Sequence, residues 1–457
     1  MLSVFIYPAC LLMFGICLVV IEVLRRRGAS YNTIILSGGV LGVLTLLLQY
    51  MPPPEWLMAD FNKAYYPAGQ AAIEDHAALT DLLAKGVYGF VNLPIVAFLF
   101  SPFAVMPLRL ADLIFLGLGG LSCILLWREL ARFAQLEAPE SALLLFLAIG
   151  SGPAAYGVAN GNTSQMVLIL IIWGIMAFMR GKDLSAGALF ALAALVKPAL
   201  IVFGIFTLLR GRWKVTAAGA AVCAAATLMS IAIFGWPMHE IWLQQTILPA
   251  LDGTILAHNV QSISGAVGRA FVGPEWLNDW NPHTVPATAS LLATGLKLLT
   301  AAIIVASLVI LARRKAPAQT APLEFSFVLM ALLLLPNLAW NHYFVWAFIP
   351  LALCLKAMPP LMSARGETLA ALLSAALIAQ PVFMWESSSA LTQDIFGRVI
   401  VSLPFLGAVI LLVLMVRQVL RLRQSDEVLN AEKPVTNTVS PTALRPPLRW
   451  RPGTRTT

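Results

Sequence analysis

Apolar runs, each separated from the next by a short polar segment, follow one another along most of the chain. A helix needs about 20 apolar residues to cross the hydrocarbon core of a bilayer, and most of the runs approach that length. We count about 13 candidate spans, at residues 3–24, 32–50, 110–127, 141–158, 165–180, 185–196, 199–210, 215–235, 288–311, 323–337, 343–356, 366–384 and 397–416. The pattern therefore predicts an all-α polytopic membrane protein.

Lys and Arg gather in short clusters between these runs. Cytoplasmic loops collect basic residues, and the runs alternate so that every strong cluster falls on one face. The clusters lie at 25–27, 128–132, 180–182, 210–214, 313–315, 356 and 417–423. We therefore predict a multi-pass protein of the cell (inner) membrane with a cytoplasmic C-terminus and two extracytoplasmic loops, 51–109 and 236–287.

One apolar run does not fit this alternation. Residues 92–107 are short for a span and contain Pro94, Pro102 and Pro107, and a full crossing here would invert every later basic cluster. We interpret the run as a helix that lies in the outer interface or is partly re-entrant, within the first extracytoplasmic loop.

The composition excludes a soluble protein. Hydrophobic residues make up 59% of the chain and charged residues 11%, whereas globular domains average roughly 25% charged residues. The net charge is +8, but the basic excess lies in clusters beside the spans, which argues against a nucleic-acid partner. The end of the chain, 424–457, is rich in Pro, Thr and Arg, and we expect it to be a disordered basic cytoplasmic tail after a membrane domain of residues 1–423.

The first extracytoplasmic loop carries a carboxylate among aromatic residues. Asp60 is followed by Phe61, Tyr65 and Tyr66, just beyond the second predicted span. A carboxylate in such a place can act as a general base on a hydroxyl group. It can equally be a helix N-cap or a solvated acid, and the spacing alone leaves both interpretations open.

A lysine separates two short apolar runs, 185–196 and 199–210. Lys197 is followed by Pro198, and neither run is long enough to cross the hydrocarbon core by itself. We expect this turn to lie beneath the outer surface, where the ammonium group either meets a lipid phosphate or snorkels to the interface. The hypothesis that this protein is an enzyme requires that the carboxyl of Asp60 and the ammonium of Lys197 line one pocket that opens to the non-cytoplasmic leaflet.

Three more polar segments fall on the same predicted face. Residues 160–165 read Asn-Gly-Asn-Thr-Ser-Gln at a helix N-terminus, where such groups suit a sugar or a phosphate and also serve as simple caps. His258 and Asn259 begin a stretch that leads to Arg269. His342 lies in a tight turn among Trp, Asn and Tyr, where an imidazole can donate to a phosphate or belong to an interfacial aromatic belt.

Motifs of soluble nucleotide chemistry are missing from the sequence. It contains no Walker A, GxGxxG, HExxH or GxSxG motif in a supporting context, and the predicted cytoplasmic loops are too short for a nucleotide-binding domain. All five cysteines lie in apolar runs without CxxC spacing, which argues against a disulfide framework and a zinc site.

The polar segments, taken in order, resemble a known family. They are Asp60-Phe61 with Tyr65-Tyr66 and Gly69, Phe90-Val-Asn-Leu-Pro94 with Ser101-Pro102, Gly161-Asn-Thr-Ser-Gln165, Ala186-Gly187 with Leu195-Val-Lys197-Pro198, Asn259 to Arg269, and Trp340-Asn-His342-Tyr343. Together they resemble glycosyltransferase family 87, whose characterised members are polyprenyl-phosphate-mannose-dependent α-mannosyltransferases. The resemblance implies a C-type glycosyltransferase-like bundle of about 13 transmembrane helices with extracytoplasmic interfacial helices.

The resemblance also implies a reaction and a site. The donor would be a sugar, mannose in the family, on a polyprenyl phosphate, so that no cofactor is needed. Asp60 would deprotonate the acceptor hydroxyl, and attack opposite the leaving phosphate would invert the anomeric configuration. The donor phosphate would be bound by Lys197, His342 and Arg269. The sugar or acceptor would be contacted by Tyr66, Gln165 and Asn259.

The partners expected from this resemblance are a polyprenyl-phosphate sugar, a glycolipid or polysaccharide acceptor and membrane lipids. The scheme requires no metal and leaves room for a divalent ion near Asp60. Two other classes remain open: a transporter or flippase of lipid-linked sugars, and a structural lipid-binding protein that would tolerate Asp60→Asn. The single break at Lys197-Pro198 and the acidic residues on one outer face favour the transferase, because a carrier is expected to have paired broken helices.

Overall fold

Helices make up most of the part of the chain that the computed structural model describes, which is residues 2–49, 57–249, 253–314, 317–357, 366–382, 398 and 400–431. Its α-helices are α1 Leu2–Arg26, α2 Tyr31–Gln49, α3 Tyr66–Glu74, α4 His76–Ala84, α5 Ser101–Ala104, α6 Leu108–Ala134, α7 Ala138–Gly150, α8 Gly152–Ala159, α9 Ser164–Met179, α10 Asp183–Val196, α11 Val202–Leu209, α12 Trp213–Phe234, α13 Trp236–Trp242, α14 Ile263–Phe271, α15 Ala287–Ala312, α16 Pro317–Leu334, α17 Phe348–Lys356, α18 Glu367–Ile378 and α19 Leu403–Ala431. Short 3-10 or π helices are Phe61–Tyr65, Gly86–Tyr88, Pro94–Leu99, Pro198–Ile201, Leu243–Ile247, Pro274–Asn278 and Asn341–Ala347. Within these ranges the only β-type pairing is two isolated bridges, and the predicted all-α class is confirmed.

Seven of the described helices are long and apolar enough to cross a membrane. They are Ile6–Arg26, Tyr31–Gln49, Leu108–Ala134, Ala138–Ala159, Trp213–Phe234, Ala287–Ala312 and Leu403–Gln424. Shorter apolar helices lie at Ser164–Met179, Asp183–Val196, Pro198–Leu209, Gln319–Leu334 and Glu367–Ile378. A polytopic membrane protein is thereby confirmed, while the number of crossings, about 13 from run lengths, stays a prediction.

Lys197 separates two half-length helices, as the sequence predicts. α10 ends at Val196, Lys197 has an extended backbone with φ −134° and ψ 92°, and the 3-10 turn Pro198–Ile201 precedes α11. Pro198 has no amide hydrogen, so it cannot continue the hydrogen bonding of α10. The lysine is therefore the C-terminal cap of a helix that ends within the bundle.

The first predicted loop is folded into short helices around aromatic side chains. Pro94–Leu99 and Ser101–Ala104 are too short to cross a bilayer, in agreement with the prediction that 92–107 is not a full span. Phe61 stacks on Phe115 of α6 with ring centroids 4.4 Å apart. This contact attaches the beginning of the loop to a long helix of the bundle.

Small residues allow α2 and α7 to pack closely. A Cβ atom on Gly38 would overlap the carbonyl oxygen of Ala142, so the two backbones touch, as small residues allow in membrane bundles. The main core lies behind this pair and includes Phe146, Ile172 and Phe325, all buried. Dispersion contacts between such side chains hold membrane helices together where no hydrophobic driving force exists.

The ion pairs formed by arginine lie at one end of the bundle, whereas His283 and Asp279 pair in the second loop. The arginine pairs join Arg25 and Arg26 to Glu22, Arg132 to Glu129, Arg210 to Glu324, Arg212 to Asp183, and Arg417 to Glu367. We call their end of the bundle the basic end. The opposite end carries residues 57–107 and 253–286, and we call it the loop end.

The last helix continues beyond the predicted membrane domain. α19 extends from Leu403 to Ala431, so the chain is still helical at residue 424, where the sequence predicts the start of a disordered tail. Residues 432–457 of that predicted tail lie outside the described residues. The chain forms two units, Met1–Val419 and Leu420–Thr457, and the site described next lies in the first.

Candidate active site

Main-chain hydrogen bonds fix the position of Asp60 against the turn between α8 and α9. The amide nitrogens of Asp60 and Phe61 donate to the carbonyl oxygen of Asn160, at 2.9 and 3.4 Å. The amide of Met58 donates to the carbonyl oxygen of Ala159 at 2.6 Å. Met58 has a φ of 60°, which is uncommon for a residue with a side chain. These hydrogen bonds stabilise the strained conformation just before Asp60.

Gly161 allows this close approach. Its φ is +68°, and a Cβ atom there would lie 2.6 Å from Cβ of Phe61 and 3.0 Å from Cε of Met58. Any side chain would therefore push the first loop away from the turn. Glycine meets both requirements at this position, because it adopts the left-handed backbone conformation easily and has no Cβ atom to clash with the first loop.

The side-chain amide of Asn162 connects Asp60 to Lys197. Its Nδ2 donates to Oδ2 of Asp60 at 2.6 Å, and its Oδ1 accepts from Nζ of Lys197 at 3.2 Å. The backbone amide and the hydroxyl of Ser164 donate to the same Oδ1, at 3.1 and 2.9 Å, and so fix the orientation of the amide. We call Asp60, Asn162 and Lys197 the polar row; one amide separates its carboxylate from its ammonium.

The polar row is accessible at its carboxylate. Asp60 is partly exposed, whereas Asn162 and Lys197 are 4% and 5% exposed. Burial raises the pKa of Asp60 above its ordinary value, while the hydrogen bond from Asn162 and the positive charges of Lys197 and Lys63 act in the opposite direction. Asp60 is therefore a stronger base than a surface aspartate, and one that a ligand can reach.

Lys197 has neutral neighbours. Its Nζ donates to the amide oxygen of Asn162 and lies 5.0 Å from the centre of the Tyr343 ring, in a cation–π contact. Among the described residues it forms no ion pair with a carboxylate. Its charge is directed into the site and is not cancelled by a direct partner.

His342 lies beside Lys197 in an aromatic group. Its ring stacks with that of Tyr156 at 6.1 Å and meets the edge of Tyr343 at 4.8 Å. Both ring nitrogens of His342 and both side-chain polar atoms of Asn341 are buried and have no hydrogen-bond partner among the described residues. Burial, and then the charge of Lys197, lowers the pKa of His342 well below its ordinary value, which favours the neutral ring, with one N–H donor and one acceptor nitrogen.

Asn259 joins the second loop to this group. Its Nδ2 donates to the Tyr156 hydroxyl at 3.0 Å, and its Oδ1 accepts from the indole of Trp280 at 3.0 Å. Its carbonyl oxygen accepts from the amide of Asn341 at 2.7 Å. Asn259 thus connects Tyr156, which stacks on His342, with the turn that carries His342 itself.

Three predicted site residues donate their hydrogen bonds to other groups of the protein. Arg269 is fully buried and donates to the carbonyl oxygens of Ala257 and Val260 and to the hydroxyl of Ser402. The Nε2 of Gln165 donates to the carbonyl oxygen of Ala154 at 3.0 Å, and the Tyr66 hydroxyl donates to that of Met106 at 2.8 Å. The structure therefore brings Asp60, Lys197, His342 and Asn259 into one group, whereas the donor groups of Arg269, Gln165 and Tyr66 form hydrogen bonds to surrounding elements of the protein.

Tyr156 and Tyr343 are not among the predicted site residues, and Asn162 was predicted only as part of a turn that suits a sugar or a phosphate, not as the link between Asp60 and Lys197. Asn162 lies in a Gly-Asn-Thr-Ser turn, where an asparagine usually reads as a cap. Tyr343 lies next to His342, so its place in the turn was visible, but its contact with Lys197 depends on the fold. Tyr156 lies within an apolar run, and only the meeting of α8 with the second loop explains it.

The described residues contain no group of three or more His, Cys, Asp or Glu side chains that could hold a metal ion. Near Asp60, the positive charge of Lys197 opposes the binding of a second cation. The sequence-based scheme without a metal stays a prediction.

Two clefts lie away from the polar row. One, of about 600 Å³, is lined by Gln244, Thr254, His283 and other residues of the second loop. The other, of about 700 Å³, is apolar and lies between α2, α6 and α7. Neither is lined by residues of the polar row or by His342.

Comparison with protein families gives a match over the middle of the chain. The family model described as Glycosyltransferase family 87 matches residues 90–336, which is more than half of the chain. The matched region contains Asn162, Lys197 and Asn259 and stops before His342, while Asp60 precedes it. No curated protein and no solved structure matches the chain.

Proposed function

The chain belongs to glycosyltransferase family 87 and is a membrane glycosyltransferase, and from this premise we propose its substrates and its catalytic residues. The proposed donor is mannose on a polyprenyl phosphate, and the proposed acceptor is a hydroxyl group of a glycolipid or a polysaccharide. Transfer takes place at the extracytoplasmic face of the cell membrane, with the C-terminus in the cytoplasm. This proposal is supported by the polar row, whose single reachable carboxylate adjoins a lysine that has no carboxylate partner.

In the proposed reaction, Asp60 is the general base. Asn162 occupies its Oδ2, so the other oxygen, Oδ1, is the atom that takes the proton of the acceptor hydroxyl. The hydroxyl oxygen bonds to the anomeric carbon as the bond from that carbon to the phosphate oxygen breaks, and polyprenyl phosphate leaves with the electron pair. A single displacement inverts the anomeric configuration and requires only one carboxylate.

Lys197 and His342 stabilise the departing phosphate. Negative charge increases on the phosphate oxygens as the bond breaks, and an ammonium fixed in a low-dielectric site stabilises that charge more than water would. A neutral imidazole beside it adds one hydrogen bond. The amide of Asn162 keeps Lys197 from forming a direct ion pair with Asp60, which would weaken the base and consume the cation.

The remaining predicted residues have supporting roles in the proposal. Gln165 has a buried Oε1 with no hydrogen-bond partner among the described residues, and this atom is available to a sugar hydroxyl. Asn259 has a second amide hydrogen, and Tyr66 offers its ring. Arg269 acts on the phosphate indirectly, because its guanidinium holds the loop that carries Asn259.

The test is transfer by the purified protein in nanodiscs, with radiolabelled synthetic polyprenyl-phosphate mannose and a glycolipid extract as acceptor. The parent protein should form labelled product, and Asp60→Asn should form none above background. Asp75→Asn is the matched control: Asp75 is exposed, lies in the same loop and caps α4, and asparagine also serves as an N-cap. Full activity of Asp60→Asn would disprove its assignment as the base.

The same assay tests the sugar and the side of the membrane. Donors that carry glucose or galactose should compete poorly if mannose is the substrate. Single cysteines introduced at Asn281, exposed at the loop end, and at Lys182, exposed at the basic end, should react with an impermeant reagent from opposite sides of intact cells. Labelling of position 182 from outside would reverse the proposed orientation.

A further inference from the structure

Lys297 is a cation inside a long membrane-crossing helix. It lies ten positions after Ala287, the first residue of α15, which places its Cα about 15 Å along the helix. Its Nζ donates to Oδ1 of Asn337 at 2.5 Å, and the hydroxyl of Ser264 donates to the same oxygen at 3.1 Å. We call Lys297, Asn337 and Ser264 the lysine cluster.

The partners of Lys297 do not balance its charge. A charged side chain inside the bilayer is costly, and such residues are expected to meet an anion or water. The amide of Asn337 is neutral, and Lys297 forms no ion pair among the described residues. The basic end is different, because a buried glutamate such as Glu324 there meets an arginine. The described residues therefore do not supply the negative charge that would balance Lys297.

The surroundings of Lys297 indicate where that charge comes from. Neighbouring leucines of α15 are exposed on the outside of the bundle: Leu291, Leu292, Leu296, Leu298 and Leu299. Lys297 and Asn337 are themselves partly exposed. Side chains on a helix point towards its N-terminus, so the ammonium is directed towards the loop end, where the head groups of that leaflet lie.

The lysine cluster adjoins the active site. Asn337 belongs to the same turn as Asn341 and His342, and its carbonyl oxygen accepts from the hydroxyl of Ser262 at 3.0 Å. Ser262 follows Asn259 in the second loop. A lipid phosphate at Lys297 would therefore lie on the lipid-facing side of the two segments that carry Asn259 and His342.

We propose that Lys297, held in place by Asn337 and Ser264, binds the phosphate of a membrane lipid at the lipid-facing edge of the active site. This phosphate belongs to the lipid-linked sugar donor before it moves to Lys197, an assignment that rests on the proposed function. A phosphate offers both the negative charge that Lys297 lacks and acceptor oxygens for the remaining hydrogens of its ammonium group.

The proposal is tested by lipid retention, measured by native mass spectrometry of the full-length protein in detergent. The probes are a synthetic polyprenyl phosphate, the uncharged polyprenol of the same length and phosphatidylglycerol. Lys297→Met should reduce retention of polyprenyl phosphate about tenfold, while Lys297→Arg restores it. Lys214→Met is the matched control, because Lys214 is an exposed lysine at the start of α12. Retention of polyprenol should not change in any variant.

Each other outcome decides against part of the proposal. Unchanged retention of polyprenyl phosphate by Lys297→Met would overturn the site. An equal loss of phosphatidylglycerol would overturn its assignment to the donor, and competition by inorganic phosphate would show a site for free phosphate. The measurement does not involve transfer, so in the Asp60→Asn protein the loss caused by Lys297→Met should be the same. Failure of the proposed reaction would therefore leave this result standing.

Discussion

The two ends of the bundle treat positive charge in opposite ways. At the basic end, arginines pair with carboxylates of the chain itself, as Arg210 does with the buried Glu324 at 2.6 Å. At the loop end, the buried or half-buried cations Lys197, Arg269 and Lys297 donate to amide, carbonyl and hydroxyl oxygens. An ion pair satisfies both of its members, whereas a cation held by neutral groups still attracts an anion. The basic end is therefore built for stability, and the loop end is suited to binding phosphate.

Substitution of one carboxylate at each end should give the largest difference in rate and stability between the two ends. Asp60→Asn should lower the transfer rate by about 10³-fold without changing the thermal midpoint. Glu324→Gln should leave the rate nearly unchanged and lower the free energy of unfolding by about 3 kcal/mol, because it breaks a buried ion pair. Activity assays and thermal denaturation of both variants in the same detergent measure this. Loss of activity in folded Glu324→Gln would contradict the division of roles.

Substitution of one cation at each end should give a smaller difference in rate and stability, in the same direction as for the carboxylates. Lys197→Met should slow transfer by about 10²-fold, since one charged group that stabilises the leaving phosphate is removed, and should not destabilise the fold. Arg210→Met leaves Glu324 buried and unpaired, which costs about 3–5 kcal/mol of stability, with little change in the rate per folded molecule. Both variants replace a cation at a helix end with methionine, but the two positions are not equally buried. Lys197→Arg therefore serves as a second check that charge, and not packing, determines the rate.

The smallest expected effect is a shift in pH dependence. The rate should fall as the pH falls through the pKa of Asp60, because only the carboxylate accepts a proton. Asn162→Leu removes a hydrogen bond that lowers this pKa, so the acid limb should move up by about one pH unit. A profile of kcat/KM against pH shows it, with Ser164→Ala as the control that loosens the amide without removing it. If the acid limb moves to lower pH instead, Lys197 pairs directly with Asp60 once the side-chain amide of residue 162 is removed.

The sequence predicted the helices well because their information is local. Every apolar run had the length of a span or of half a span, and the break at Lys197 followed from a proline that cannot continue a helix. The number of crossings could not be settled in the same way. Helices such as α10 and α11 are apolar and half-length, and length and composition do not show whether such a pair crosses or re-enters.

The site was only partly predictable because its decisive contacts join distant parts of the chain. The chemistry of Asp60 and Lys197 was visible in the sequence, but the amide between them was not, since the role of Asn162 depends on two loops meeting. Arg269 shows the reverse case. A loop arginine is a reasonable candidate for a phosphate, and only the folded loop reveals that carbonyl oxygens and Ser402 already accept its hydrogen bonds.

Asp60 is attached through backbone atoms, which determines which side chains around it can be replaced. The hydrogen bonds that place it use the amides of residues 58, 60 and 61 and the carbonyls of residues 159 and 160, and apart from Gly161 they depend little on which side chains surround them. Exposed side chains of the first loop are therefore open to replacement without displacing the proposed base. Substitutions at the rim of the site are therefore expected to leave the carboxylate of Asp60 in place.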